Sequence, residues 1–430
     1  MILQVYVCIF NILPLANFAN MLQKILIVSL LVTSLIPSMF LNGSNFRYLP
    51  AFTVLFISGI YALLNLKKSK NLNHLKIYYQ NNKYILVMVF MYLVVIWVSS
   101  FKTGIKENLV LISGMTFVLI AMHFLFPVFI KKKEDVLFIA HTLLFIGLFN
   151  CIITILLFLL KQAINTRYGI YGIQSITSTF GIFPEFNIEV LRGIFSNPNS
   201  LGILSASILP AILFSFAEAK SPRSRFFLIL FFLLNNIVLL SSFSRASVLS
   251  AIVVLLFFSC SYVNRIFFHL SKIFILFNIV LFNFIIILGC DISNLKNLKI
   301  TSVGRVSLWN KAIEIIHNNL IHGIGFSKTA IALKGLTSHN TFIEISLGSG
   351  VVAMILYSFY LILLLPKINL KDKDTVNLSH FTLLSFLGFS VMQLFETLLF
   401  GGMSIANFYF LITIIAYLSL KQTQTKLNEN

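Results

Sequence analysis

The chain has 430 residues, of which 58% are hydrophobic and only 10% charged, and its mean hydropathy is +0.94. A soluble domain of that length does not manage with so few charges, so the sequence predicts an all-α, polytopic integral membrane protein. The formal charge of +19 comes without a soluble basic domain, which argues against nucleic acid as a partner and leaves two uses: orientation in the bilayer and binding of an anionic substrate.

Taken in order, hydrophobic runs fall near residues 2–19, 22–41, 48–65, 84–99, 107–130, 135–160, 196–217, 226–242, 246–263, 272–289, 340–365, 378–399 and 403–420. The first is interrupted by Asn11, Pro14 and Asn17 and lacks the basic start of a signal peptide. About twelve transmembrane helices are expected from run length, with the N-terminal segment left open. Cys8, Cys151, Cys260 and Cys290 lie in or beside these runs without metal spacing, so neither a disulfide framework nor a zinc site is read.

Lysine and arginine set the orientation. One alternating set of connections carries Lys67, Lys68, Lys70, Lys76 and Lys83, then Lys131 to Lys133, then Lys220, Arg223 and Arg225, and continues to Lys421 and Lys426. Short, basic loops stay in the cytoplasm. The C-terminus is then cytoplasmic, and two long loops, about 161–195 and 290–339, are extracytoplasmic. Long loops in a compact membrane protein are usually functional. No linker separates domains, so residues 1–430 read as a single membrane-embedded domain with its long outer loop before the last three helices.

The stretch from Gly304 to Gly350 stands out. Apolar residues recur at Leu308, Trp309, Ala312, Ile313, Ile316 and Leu320, with Lys311, Glu314 and Asn318 opposite, which predicts an amphipathic helix on the membrane surface. Gly323 and Gly325 are expected to end it. His339 and Asn340 then open an apolar run of about one bilayer thickness. This arrangement brings a cation and a base together at the water–lipid boundary.

Four residues fall at the outer face under this topology: Arg192, Arg245, Arg305 and His339. Arg245 sits in a short apolar hairpin, where it needs an anionic partner or water. The planar guanidinium suits phosphate, and three of them could grip a pyrophosphate. Arginines near helix ends also snorkel to lipid headgroups, and a lone histidine at a helix start is often structural.

In order, the pieces RGIFSNPNSLG, SFSRAS, GRVSLWNKAIEIIHNNLIHGIGF and SHNTFIEISLGSG resemble the O-antigen ligase and polymerase superfamily of bacterial integral membrane glycosyltransferases. The resemblance implies that Arg192, Arg245 and Arg305 bind a lipid-linked pyrophosphate and that His339 is the catalytic base. It implies an undecaprenyl-pyrophosphate-linked glycan as donor and an acceptor glycan, either a lipid-linked repeat or lipid A-core. It requires no metal or other cofactor, and it admits a chain-length regulator protein as partner. It places the enzyme in the cytoplasmic membrane with its site facing outward. One departure is visible: the family's turn begins with proline, where this chain has Leu320.

Asn340 and Glu344 lie one helical turn apart and are read as acceptor-sugar ligands, with a buried, satisfied carboxyl as the other reading of Glu344. Glu396 invites the same argument with less force. Asp372, Lys373 and Asp374 spell the Asp-x-Asp of metal-dependent transferases, but in a short loop among lysines they read as a solvated turn. The sequence therefore predicts a metal-independent, inverting glycosyltransferase, leaning to polymerisation of surface polysaccharide. Ligation of finished glycan is the alternative within the family. Transport of a lipid-linked oligosaccharide is the rival class, which should show ionisable groups at mid-membrane.

Overall fold

The computed structural model describes residues 18–39, 49–66, 69–160, 163–166, 169–178, 186–263, 265–290, 303–366, 373–398 and 405–427. The apolar segment expected at 2–19 falls, but for its end, outside them. The first half of the chain gives α1 (Phe18–Thr33), α2 (Leu49–Leu66), α3 (Ser69–Asn81), α4 (Lys83–Thr103), α5 (Ile105–Ile120) and α6 (Lys133–Leu159). The second half adds α7 (Pro198–Glu218), α8 (Pro222–Ser241), α9 (Arg245–Val263), α10 (Arg265–Leu288) and α11 (Val303–His317). It ends with α12 (Phe326–Ala332), α13 (Thr341–Ser349), α14 (Val351–Leu363), α15 (Lys373–Phe395) and α16 (Ile405–Leu427).

Seven helices among the described residues are long and apolar enough to cross a membrane: Lys83–Thr103, Ile105–Phe129, Lys133–Leu159, Pro198–Glu218, Pro222–Ser241, Ile266–Leu288 and Val376–Phe395. Shorter apolar helices lie at Met21–Thr33, Leu49–Leu64, Arg245–Ser259, Val351–Leu363 and Ile405–Leu420. Backbone polar groups have no water to turn to in lipid, so each span must satisfy them within its own helix. The α7 and α15 helices are mostly buried, whereas α8 and α10 leave most of their apolar surface outward. The last two present that surface where lipid would meet it.

The α7 and α15 helices run antiparallel, and their rings stack between Phe214 and Phe381 at 4.7 Å. At one end of the bundle Glu218 receives Lys133 at 2.8 Å and the Asn377 amide at 2.8 Å. At the other end Asn199, in the first turn of α7, reaches Glu396, just past α15, at 3.2 Å. The two ends are therefore chemically distinct, and every candidate residue of the sequence analysis lies at the second.

Three features depart from the sequence reading. First, a small antiparallel sheet follows α6: β1 (Ala163–Thr166), β2 (Gly169–Ser178) and β3 (Phe186–Gly193), in that order. The register pairs Ile173 with Leu191 and Gly172 with Gly193, leaving Arg192 as the extra residue of a bulge. The bulge bends β3 and re-aims that side chain.

Second, the run expected as one span at 340–365 is two helices, α13 and α14, broken at Gly350 (φ 86°). Third, α11 stops at His317 rather than at the glycines. The glycines serve another purpose. The N–H of Ile324 donates to the Leu347 carbonyl at 2.8 Å, and that of Gly325 to Gly348 at 3.0 Å. In return Val351 N–H donates to Leu320 at 2.8 Å. The turn thus satisfies the last carbonyls of α13, which a break inside the protein would otherwise orphan. A Cβ on Gly350 would collide with the Ile321 carbonyl, and one on Gly323 with Leu347, so backbone meets backbone only through glycine.

Candidate active site

The site is built around the C-terminal end of α15. A helix that ends inside the protein must find donors for its last carbonyls. Here three side chains supply them in succession. Asn340 Nδ2 donates to Leu394 at 3.0 Å, Arg305 Nη1 to Phe395 at 2.9 Å, and Thr341 Oγ1 to Glu396 at 3.1 Å. Thr341 Oγ1 also accepts from Leu398 N–H at 2.9 Å. The end of α15 is in this way fastened to the start of α13 and to α11.

The Glu396 side chain is the junction. Its Oε1 lies 3.6 Å from Arg305 Nη2 and accepts from Asn199 Nδ2 at 3.2 Å, while its Oε2 lies 3.5 Å from His339 Nδ1. The carboxylate is largely buried, with 12% of its side chain exposed, against 25% for Arg305 and 32% for His339. His339 Nδ1 is within ion-pair distance of the carboxylate but makes no hydrogen bond and is shielded from solvent. The rest of the imidazole reaches the surface.

His339 is held by its neighbours. Ser338 is pinned three ways: its carbonyl accepts from Trp309 Nε1 at 2.7 Å, its N–H donates to Glu344 Oε2 at 3.2 Å, and its hydroxyl donates to the Asn340 carbonyl at 2.9 Å. His339 itself takes φ 51°, a conformation rare outside glycine, asparagine and their like. Strain of this kind persists only where the surroundings enforce it, and it concentrates at functional sites.

Asn340 is fully buried. Its Oδ1 accepts from Ile343 N–H at 3.0 Å as the N-cap of α13, and its Nδ2 is bound to Leu394. Glu344 is also buried; its Oε1 accepts from Thr329 Oγ1 at 2.6 Å and its Oε2 from Ser338. The principal hydrogen bonds of both residues thus hold the site loop. The sequence reading ranks Glu344 above Glu396; it is Glu396 whose carboxylate lies within 4 Å of both Arg305 and His339.

The other two arginines flank α7. Arg192, at the bulge of β3, is buried and donates from Nη1 to the Ser196 carbonyl at 2.8 Å; burial lowers its pKa from the ordinary arginine value. Asn197 caps α7 by accepting from Asn199 N–H at 2.9 Å. Arg245, exposed, begins α9. The hairpin before it packs on α7 so closely that a Cβ on Gly202 would strike Ser244. The segments RGIFSNPNSLG and SFSRAS are therefore interlocked, and Asn199 ties the first of them to Glu396.

A pattern follows from this placement. The N-termini of α7, α9, α11 and α13 gather at one end of the bundle, with Arg245 and Arg305 in the first turns of α9 and α11, His339 just before α13, and Arg192 at the end of β3, ahead of α7. Helix N-termini present partial positive charge and unpaired N–H groups, so a cation there is unfavourable unless an anion joins it. Glu396 supplies one negative charge to the cluster. Of the four residues, Arg305 and His339 lie within 4 Å of that carboxylate.

A family model described as O-antigen ligase matches residues 226–358. The match supports the O-antigen ligase and polymerase superfamily. Within it lie Arg245, Arg305, His339, Asn340 and Glu344, while Arg192 and Glu396 lie outside. This superfamily indicates glycan processing of the ligase or polymerase type, with a lipid-linked glycan and an acceptor as substrates. Together with the apolar helices it indicates a multi-pass inner-membrane protein. No curated protein and no solved structure gives a significant match.

Proposed function

We propose that the chain transfers a glycan from undecaprenyl pyrophosphate to a sugar hydroxyl at the outer face of the cytoplasmic membrane, and that it polymerises the repeat units of a surface polysaccharide. The observation that carries this reading is the junction at Glu396, which sets an arginine and a histidine from separate motifs on one carboxylate. The orientation rests on the basic loops, which fall at the end opposite the site.

In this reading Arg192, Arg245 and Arg305 stabilise the charge that builds on the departing pyrophosphate, assisted by the helix N-termini. No metal is needed for that purpose. His339 takes the acceptor proton, as a positioned imidazole does in general base catalysis. Glu396 orients the ring through Nδ1, leaving Nε2 to face the acceptor, and stabilises the imidazolium once formed; the logic is that of a base held by a third group. A single displacement at the anomeric carbon inverts its configuration. Asn340 and Glu344 shape the loop beside the acceptor.

Deletion of the gene with analysis of the surface glycan tests the reading. Single repeats retained while chain length is lost mean polymerase. Full-length chains left on undecaprenyl pyrophosphate mean ligase, the alternative within the superfamily. An unchanged glycan overturns both.

A further inference from the structure

The loop between α11 and His339 carries the most exposed large apolar side chain among the described residues, Ile331, at 77%. Leu336, at 54%, follows it. In a soluble protein such a pair would be an aggregation hazard or a partner site. Here its attachment to a hairpin between two spanning helices decides between them and lipid.

The loop rides on the hairpin that joins α4 to α5. Ser327 N–H donates to Asn108 Oδ1 at 2.9 Å, and Lys328 Nζ donates to the Thr103 carbonyl at 2.7 Å. Gly325 lies so close that a Cβ would press on Thr103 and Asn108. That hairpin is the point where two spanning helices emerge from the bilayer at the site end. The outward stripe of α4, with Phe90 at 62% and Phe101 at 67% exposed, leads up to it. Phe326 and Leu333 turn inward and are buried, while Ile331 and Leu336 are exposed, on a loop whose Lys328 is bonded two residues beyond exposed Phe101. Lys102 follows Phe101 in the chain and Lys334 lies between Ile331 and Leu336, and both lysines are exposed. Apolar side chains next to lysines at the membrane boundary are the mark of a segment lying in the interface.

We infer that residues 326–337 form a membrane anchor, dipping Ile331 and Leu336 into the site-end leaflet while Lys102 and Lys334 meet lipid phosphates. The anchor is coupled to the site by Glu344, which holds Thr329 at one end of the loop and Ser338, the neighbour of His339, at the other. Lipid contact thereby sets the depth of His339 relative to a donor embedded in the same leaflet. The anchor itself rests on the membrane reading of the chain and is independent of the reaction.

The test places a nitroxide at Ile331→Cys or Leu336→Cys, with Cys8, Cys151, Cys260 and Cys290 replaced by alanine, in vesicles of phosphatidylethanolamine and phosphatidylglycerol. Both labels should collide with oxygen as a label at Phe90→Cys does and be screened several-fold from a nickel chelate in the water. Because replacing buried Cys151 can disturb packing, the site is also read as Ile331→Trp in the otherwise native chain. Bromine-bearing lipids should quench the added emission, and aqueous iodide should not. Free access of nickel or iodide would show the loop standing in water and overturn the anchor. Screening from water and lipid alike would show the loop covered by protein and would overturn the anchor equally.

Discussion

Two buried glutamates stand close to His339 and are used in opposite ways. Glu344 takes two neutral donors, a hydroxyl at 2.6 Å and a backbone N–H at 3.2 Å, both from the loop just before it. Glu396 draws an amide from 197 residues away, a guanidinium at 3.6 Å and an imidazole at 3.5 Å. The first carboxylate is a strap, both its oxygens engaged at hydrogen-bond distance by groups of the loop it holds. The second is a junction, whose long contacts to Arg305 and His339 leave those groups able to turn toward an incoming anion or hydroxyl. On the proposed reading, the first builds the site and the second works in it.

That comparison can be broken by substitution. The largest effect is expected at Glu396. Glu396→Gln keeps the Asn199 contact but loses the charge, so transfer should fall roughly 10²-fold, the lower end of what acid–base catalysis contributes. The loss should appear in kcat with KM for the acceptor little changed, measured on purified protein with a lipid-linked donor. Arg305→Lys should come next. A lysine keeps the charge but cannot both cap Phe395 and face Glu396, and a hydrogen bond to a charged group contributes about 1.5–3 kcal/mol, so a loss of about tenfold or somewhat more is expected. Glu344→Gln should have the smallest effect on transfer per folded molecule. It replaces one acceptor oxygen by an N–H₂ facing a donor, so thermal melting in detergent should report about 1–3 kcal/mol of lost stability. If Glu344→Gln lowers transfer as far as Glu396→Gln while melting normally, the division between strap and junction is wrong.

Much of the site is legible in the sequence, for reasons that mark the limit of such reading. Arg305 and His339 can be found because each sits at a helix start in a recognisable local pattern. Glu344 outranks Glu396 there because Asn340 and Glu344 are one turn apart, a relation visible along the chain. The approach of the end of α15 is not visible; it depends on Asn340, Arg305 and Thr341 finding the carbonyls of residues 394–396 across the fold. The break at Gly350 escapes a sequence reading because hydropathy runs through it unchanged, whereas the need for glycine comes from the Ile321 carbonyl opposite. The sheet escapes for a different reason. Phe186, Ile188 and Val190 alternate with Asn187 and Glu189, a period-two signal that a search for long apolar runs passes over. The expected outer loops, about 161–195 and 290–339, lie partly outside the described residues, and their side of the membrane rests on the basic loops alone.

The most direct test of the account is the rate of transfer by His339→Gln, measured beside the native protein in single turnover with a lipid-linked donor. Glutamine keeps hydrogen bonding but cannot accept the acceptor proton. The rate should fall by roughly 10²–10⁴-fold, with donor binding retained and the protein folded. A His339→Gln protein that transfers glycan at close to the native rate would make His339 a structural residue and move the base elsewhere.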